Sequence, residues 1–357
     1  LRRVRIPGVQ YRFYTISESA WAAMLEAIRG ARHSIYLESF ILTDDHVTHN
    51  FFETLKSKAR AGVQVKIIVD RVGHFWFGSV DKKEFEDAGA EILFFNRWLY
   101  RSHRKVLLVD EQVAFLGGVN VRGEYAKWID LHVKLTGLLV KSLLKSFSRV
   151  YAIAGGKDPA VLALRKSKPA SQARLALYKA KSWLIDHWPL KGTSALRYYY
   201  RRKCATAQKS IVIVTPYFIP NRWLIRSLQR AANRGVKIEV IVPQKTDVAL
   251  ADVSHRIFAE NLKNFAKFLF LPEMNHAKVL LIDDREGLVG SNNIDAQSFD
   301  FNLELSVVFR RKDMTGDLKK IIEDWKAKAI PFEQIGYRKK WYHAIVRFIV
   351  KLLQPIL

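Results

Sequence analysis

An internal duplication constrains this chain more than any other feature. Residues 60–69, RAGVQVKIIV, lie over residues 233–242, NRGVKIEVIV, with Gly62 on Gly235 and Val63 on Val236 at an offset of 173. The same offset carries His103 onto His276, Lys105 onto Lys278, Asp110 onto Asp283, Gly117 onto Gly290 and Asn120 onto Asn293. Residues of five kinds holding one register in both copies point to a repeated unit. At 357 residues the chain has room for about two domains.

Each copy reads as α/β. In the first, Ser17 precedes a helical stretch with Trp21, Met24, Leu25 and Ile28 on one face, and Gly30 is a fitting stop. Residues 34–41 read as a strand, and 49–61 as a helix with Phe51, Phe52 and Leu55 inward, closed by Gly62. The near-continuous apolar run Val65–Val69 reads as a strand buried on both faces, followed by a short helix at 81–88 and a strand at 91–95. The second copy repeats the order with strand 210–215, helix 221–234, strand 237–242, helix 254–264 and strand 267–271. Strands alternating with helices mean a sheet covered on both faces. The expected organisation is a first unit over 1–150, a basic and aromatic connecting segment over 151–204, a second unit over 205–335 and a tail over 336–357.

The repeated pattern is His-x-Lys-x4-Asp-x6-Gly-x-x-Asn. Residues two apart on a strand share a face, so each copy presents imidazole and ammonium side by side. The apolar runs Val106–Val109 and Val279–Ile282 would anchor those strands in a core. Two copies face to face would surround one concavity with two imidazoles, two ammoniums and the amides of Asn120 and Asn293. That set suits a phosphoryl group: cations and amides hold its oxygens, one imidazole attacks phosphorus, and the other protonates the leaving oxygen. Asp110 and Asp283 end their strands, either as members of the site or as turn formers that order the lysines.

HRKVLLVD with GGVN, and HAKVLLID with GSNN, resemble the paired HKD motifs of the phospholipase D superfamily. Within it, TPYFIP at 215–220, WIDLHVKLTG at 128–137 and GSNNIDAQSFDFNLE at 290–304 resemble bacterial cardiolipin synthases, and the resemblance runs over about residues 12–335. It implies two similar α/β/α sandwich domains packed pseudo-symmetrically around one active site, working without metal or cofactor. It implies His103 as the covalent nucleophile and His276 as general acid and then base, with the HKD residues Lys105, Asp110, Lys278 and Asp283 beside them. It also implies Asp130 and Glu304 as acids supporting the histidines, and Asn120, Asn293 and Ser291 as phosphate ligands. Gly118 stands where the second motif has Ser291, so the two halves are chemically unequal. The implied reaction joins two phosphatidylglycerol molecules into cardiolipin and releases glycerol. A hydrolytic phospholipase D or a phosphodiesterase acting on nucleic acid would carry the same motif.

Charge bears on the partner. Lys and Arg number 59 against 34 Asp and Glu, a net +25, which predicts an anionic partner. Between Arg165 and Lys203 eleven Lys/Arg face one acid, Asp186, with Trp183, Trp188 and Tyr198–Tyr200 among them. Such a stretch suits single-stranded nucleic acid or an anionic membrane surface equally well. The tail decides for the membrane: in helical projection Ile345, Phe348, Ile349, Leu352, Leu353 and Ile356 gather on one side, opposite Lys339, Lys340, Arg347 and Lys351. The competing reading packs that helix on the protein body or on a second copy. The expected location is the periphery of a bacterial cell membrane, held by tail and basic segment. Many cardiolipin synthases carry two N-terminal membrane spans, and no such span is read here, so attachment falls to the tail or to a segment before Leu1.

Other candidates carry less. The His132–Lys134 pair is a decoy with no Asp at the required spacing, and reads as a structural neighbour of the site. Glu38, Asp44 and Asp45 read as loop-solvating acids rather than headgroup selectors. Cys204 has no second thiol and no nucleophile motif around it, and no His/Cys/Asp cluster has zinc spacing.

Overall fold

A computed structural model describes residues 9–77, 80–97, 100–166, 181–189 and 194–336. The amphipathic tail from 337 onward, and residues 167–180 and 190–193 of the basic segment, lie outside the described residues.

The first unit holds strands β1 (Tyr11–Ile16), β2 (Ser34–Ser39), β3 (Gln64–Asp70), β4 (Glu91–Phe95), β5 (Arg101–Ser102), β6 (Val106–Val109), β7 (Val113–Gly117) and β8 (Ile129–Thr136). The second holds β9 (Ser182–His187), β10 (Ser210–Val214), β11 (Lys237–Pro243), β12 (Lys267–Leu271), β13 (Val279–Ile282), β14 (Glu286–Gly290), β15 (Asn302–Phe309) and β16 (Ile330–Pro331). Seven strands of the first sheet run in the order β1-β8-β7-β6-β2-β3-β4. The second sheet repeats it as β9-β15-β14-β13-β10-β11-β12. The three strands at one side of each sheet are parallel, because helices return the chain between them. Gly62 and Gly235 make the equivalent helix-to-strand turns at φ +85° and +87°, a region where a side chain would be strained.

The 151–204 boundary needs correcting. Strand β9 pairs antiparallel with β15 as β1 pairs with β8, and the helix Ala195–Thr206 follows it as Ser17–Gly30 follows β1. The second unit therefore starts near Ser182. Its basic composition conceals this, because the helix buries only Leu196, Tyr199, Tyr200, Lys203 and Cys204 while its arginines face outward.

Each sheet has helices on both faces. On the outer side of the first, Trp21, Met24, Phe52 and Leu55 close a core of their own, and Leu196, Leu224 and Leu228 do so on the second. The inner sides share one core. Leu116, Leu131 and Val133 of the first sheet join Val289, Leu303 and Leu305 of the second, together with the helices Leu138–Ile153 and Lys312–Lys328. Burying these faces against each other is the main force joining the units.

Candidate active site

The two histidine segments are stitched to the opposite unit. β5 runs parallel to the start of β15, and the His103 amide donates to the Leu303 carbonyl at 3.1 Å. In the other half, the Ile129 amide donates to Met274 at 3.1 Å, and the His276 amide donates to Ile129 at 2.7 Å. Each histidine is thus set beside the first residues of the other unit's long strand, where the supporting acid sits.

The side chains complete the exchange. His103 Nδ1 lies 3.1 Å from Glu304 Oε1, and His276 Nδ1 lies 2.8 Å from Asp130 Oδ2. A carboxylate accepts only, so each Nδ1 carries the proton and each Nε2 is left for chemistry. Ring contacts fix the imidazoles further: Phe40 stands edge-on to His103 at 4.9 Å, and Trp128 and Tyr217 lie 5.5 and 6.4 Å from His276. His103, Phe40, Arg101, Tyr217, Asn293 and Asp295 line a cleft of about 170 Å³.

Charge in this space is tightly balanced. Lys105 and Lys278 are buried, and each Nζ donates to the carbonyl of its own histidine, at 2.6 and 2.5 Å. Burial, then repulsion by Lys278, holds Lys105 well below the usual lysine range, and burial brings Lys278 down to about 8. Burial and the Lys105 charge lower His103 to about 4 against the pull of Glu304. His276 is lowered by burial and Lys278, again against its carboxylate, Asp130. Burial opposes charge on Asp130 and Glu304 too, but the facing imidazoles and lysines outweigh it and keep both ionised. Burial thus biases both imidazoles and both lysines toward their neutral forms, and an arriving anion would favour the charged ones.

The remaining sequence candidates divide. Asn293 lines the cleft with its Oδ1 buried and unpaired, while Asn120 turns its Oδ1 to the Ile41 amide at 3.4 Å. The Ser291 hydroxyl is not turned to a phosphate: it donates to Glu304 and accepts from the Leu305 amide at 3.1 Å. Asp110 and Asp283 are not in the cleft. At the far ends of β6 and β13, each carboxylate accepts from three successive amides, 32–34 and 208–210. Glu38 is no loop acid either; it is buried in β2, accepts from Ser102 Oγ at 2.5 Å and faces Arg104 Nε at 3.4 Å. Asp45 does order its loop, through the amides of Val47, Thr48 and Gly123. His132 is buried near Asp130 with neither nitrogen bonded, and Cys204 is buried with its thiol raised to about 12.

Sequence reasoning passed over Ser298, whose Oγ donates to Glu304 Oε1 at 2.8 Å, and Asp295, which burial raises to about 7. Both stand in the 290–304 motif, and their spacing from Glu304 was the available signal. Gly118 also gains a reason: a Cβ there would lie 2.2 Å from Asp130 Oδ1.

Comparison with known proteins bears on the fold and the family. The family model described as "Cardiolipin synthase, PLD-like domain" matches residues 24–128 and 200–325. A cardiolipin synthase of Halalkalibacterium halodurans is 28% identical, with 96% of this chain and 71% of that protein covered. Cardiolipin synthase 2 of Bacillus cereus is 27% identical over 97% of this chain and 70% of its own length. Among solved structures, a phosphatidylserine synthase of Haemophilus influenzae superposes with a TM-score of 0.74 at 16% identity, covering 98% of this chain and 95% of that one. A polyphosphate kinase of Porphyromonas gingivalis shares the fold at a TM-score of 0.60 and 11% identity, over 98% of this chain and 53% of its own.

Proposed function

The chain belongs to the phospholipase D-like cardiolipin synthase family, and from that premise we propose that it is a phosphatidyltransferase joining two phosphatidylglycerol molecules. His103 Nε2 attacks phosphorus as the bond to the headgroup glycerol breaks, and His276 gives that glycerol oxygen a proton. The product is a phosphatidyl-histidine. His276 then takes the proton from a glycerol hydroxyl of a second phosphatidylglycerol, whose oxygen attacks phosphorus and displaces His103. Lys105, Lys278 and Asn293 hold the phosphoryl oxygens in both steps.

The crossed pairing of each histidine with the other unit's acid carries this reading. It orients both rings through their Nδ1 atoms, and each ring feels the lysine of the other half, which supports two imidazoles acting on one phosphorus by in-line displacement, with retention over two steps. Neutral His103 has the lone pair that attack needs, and an arriving phosphodiester favours protonation of His276. Glu304 is placed to stabilise the positive ring of the adduct.

Among the described residues, no helix is long and apolar enough to cross a membrane. We propose peripheral attachment to a bacterial membrane.

Incubation with phosphatidylglycerol vesicles, followed by lipid chromatography, tests the activity. Cardiolipin and free glycerol are expected; phosphatidic acid alone would make the chain a hydrolase. His103→Ala should abolish both turnover and the adduct trapped by acid quenching. An adduct on His276 would reverse the roles.

A further inference from the structure

From residue 187 to 238 the chain has eleven Lys/Arg and no Asp or Glu. Two helices of this stretch, Ala195–Thr206 and Arg222–Ala232, lie side by side. Along the second, Arg222, Arg226 and Arg230 recur every fourth residue, all exposed, on one ridge, and Arg234 follows just past the helix end, donating to the Cys204 carbonyl at 2.6 Å. With Arg201 they line a groove of about 560 Å³ whose floor includes Trp223. Arg197, ion-paired with Asp300, and Arg201 stand 5.7 and 5.8 Å from the Trp223 ring. Like charges four apart on a helix repel, so the ridge is costly unless an anion meets it.

The ridge leads to the cleft. Trp223 packs edge-on against Phe299 at 5.0 Å, in the Gln297–Phe301 segment that supplies Gln297 to the cleft wall. Six large apolar side chains are conspicuously exposed among the described residues, and five stand around that end of the molecule. Val47, Phe75 and Val248 follow the C-terminal ends of β2, β3 and β11, at 45, 78 and 37% exposure. Ile16, at 37%, is paired with Ile129 beside His276. Tyr198, at 65%, lies in the first turn of the helix that Ser194 ties to Phe299.

We propose that this arginine ridge and this apolar rim together form the face on which the protein sits on an anionic phospholipid bilayer, cleft mouth against the headgroups. The inference rests on the lipid-substrate reading above and adds the surface that delivers the lipid. Arginines meet phosphates, and the rim side chains enter below them. A nucleic-acid strand would neutralise the arginines but has no use for isoleucine and valine around the site.

The test is co-sedimentation with phosphatidylglycerol/phosphatidylcholine vesicles and with pure phosphatidylcholine vesicles. It compares the whole protein with Arg222→Ala/Arg226→Ala/Arg230→Ala and with Val47→Ser/Phe75→Ser, each checked for unchanged thermal unfolding. Three arginines near an anionic surface correspond to about a hundredfold in affinity, equivalent to about 3 kcal/mol. The arginine variant should lose that on the mixed vesicles and turn over a monomeric short-chain phosphatidylglycerol as the parent does. The serine variant should keep salt-sensitive binding but bind less tightly at high salt. Mixed-vesicle binding unchanged in the arginine variant would overturn the proposal, as would a loss confined to single-stranded oligonucleotide. Binding is read without turnover, so an enzyme inactive on every phosphatidyl substrate would refute the proposed reaction and still leave the docking face to be judged.

Discussion

Two carboxylates of different length support the two histidines, and their surroundings differ accordingly. Glu304 accepts from His103, Ser291 and Ser298, so its charge is shared among three donors. Asp130 accepts from His276 and the Leu131 amide, and Gly118 leaves room for it where Ser291 would stand. The less occupied carboxylate faces the histidine that must carry a proton. If activity needs His103 neutral and His276 protonated, the acidic limb of the pH profile belongs to His103 and the alkaline limb to His276. Asp130 raises the pKa of His276, so Asp130→Asn should lower it and move the alkaline fall in kcat/KM to lower pH. Glu304 likewise raises His103 from a value already near 4, so Glu304→Gln should move the acidic limb further down. Profiles that shift on the opposite limbs would exchange the histidines' roles. A second expectation concerns Gly118→Ser. By symmetry it restores a missing hydroxyl, but its Cβ would displace Asp130, so kcat should fall by about a hundredfold, as misplacement of a catalytic group by about 1 Å can cost.

At the scale of elements, β6 and β13 each carry chemistry at one end and a fastening at the other. The turn after β6 holds Asp110 and Glu111 at φ 50° and 55°, the turn after β13 holds Asp283 and Asp284 at 52° and 56°, and the aspartate clamps the start of the neighbouring strand. Four strand residues, about 13 Å, separate this clamp from the lysine. Asp110→Ala should therefore cost about 1–3 kcal/mol of stability, seen as a lower Tm, with kcat per folded molecule retained. A collapse of kcat in fully folded protein would return the aspartate to the chemistry. Apolar periodicity made most of these elements readable: β4 and β12 occupy the expected ranges, and most others differ by a few residues at their ends. The helix Ala249–Leu262 begins five residues earlier than its apolar pattern suggested, since Ala249–Ser254 has no strong period of its own. The pairing of β9 was not legible, because Ser182–His187 mixes polar and aromatic residues within a basic run, and only the long strand β15 gives it a partner. The family resemblance brought Asp130 and Glu304 into view, one residue out of the 173 register, but a repeat permits pairing within a unit as readily as across units.

That choice belongs to the whole molecule. Leu131 and Leu303 follow Asp130 and precede Glu304 in the chain, and both are fully or nearly buried in the core that the sheets share. The packing that joins the units therefore sets the histidine–acid distances, and a half alone would have each histidine without its acid. Two consequences can be measured. In double-mutant cycles on kcat, His276 should couple to Asp130 and His103 to Glu304, while His276 with Glu304 and His103 with Asp130 should be nearly additive. Unfolding by urea should be a single transition, coincident by circular dichroism, tryptophan fluorescence and residual activity, because neither sheet keeps its inner face covered once the other leaves. Leu131→Ala and Leu303→Ala should each move all three curves together, at about 2–5 kcal/mol per truncation. Two separated transitions, with activity lost in the first, would mean that the shared core does not hold the halves as one cooperative body.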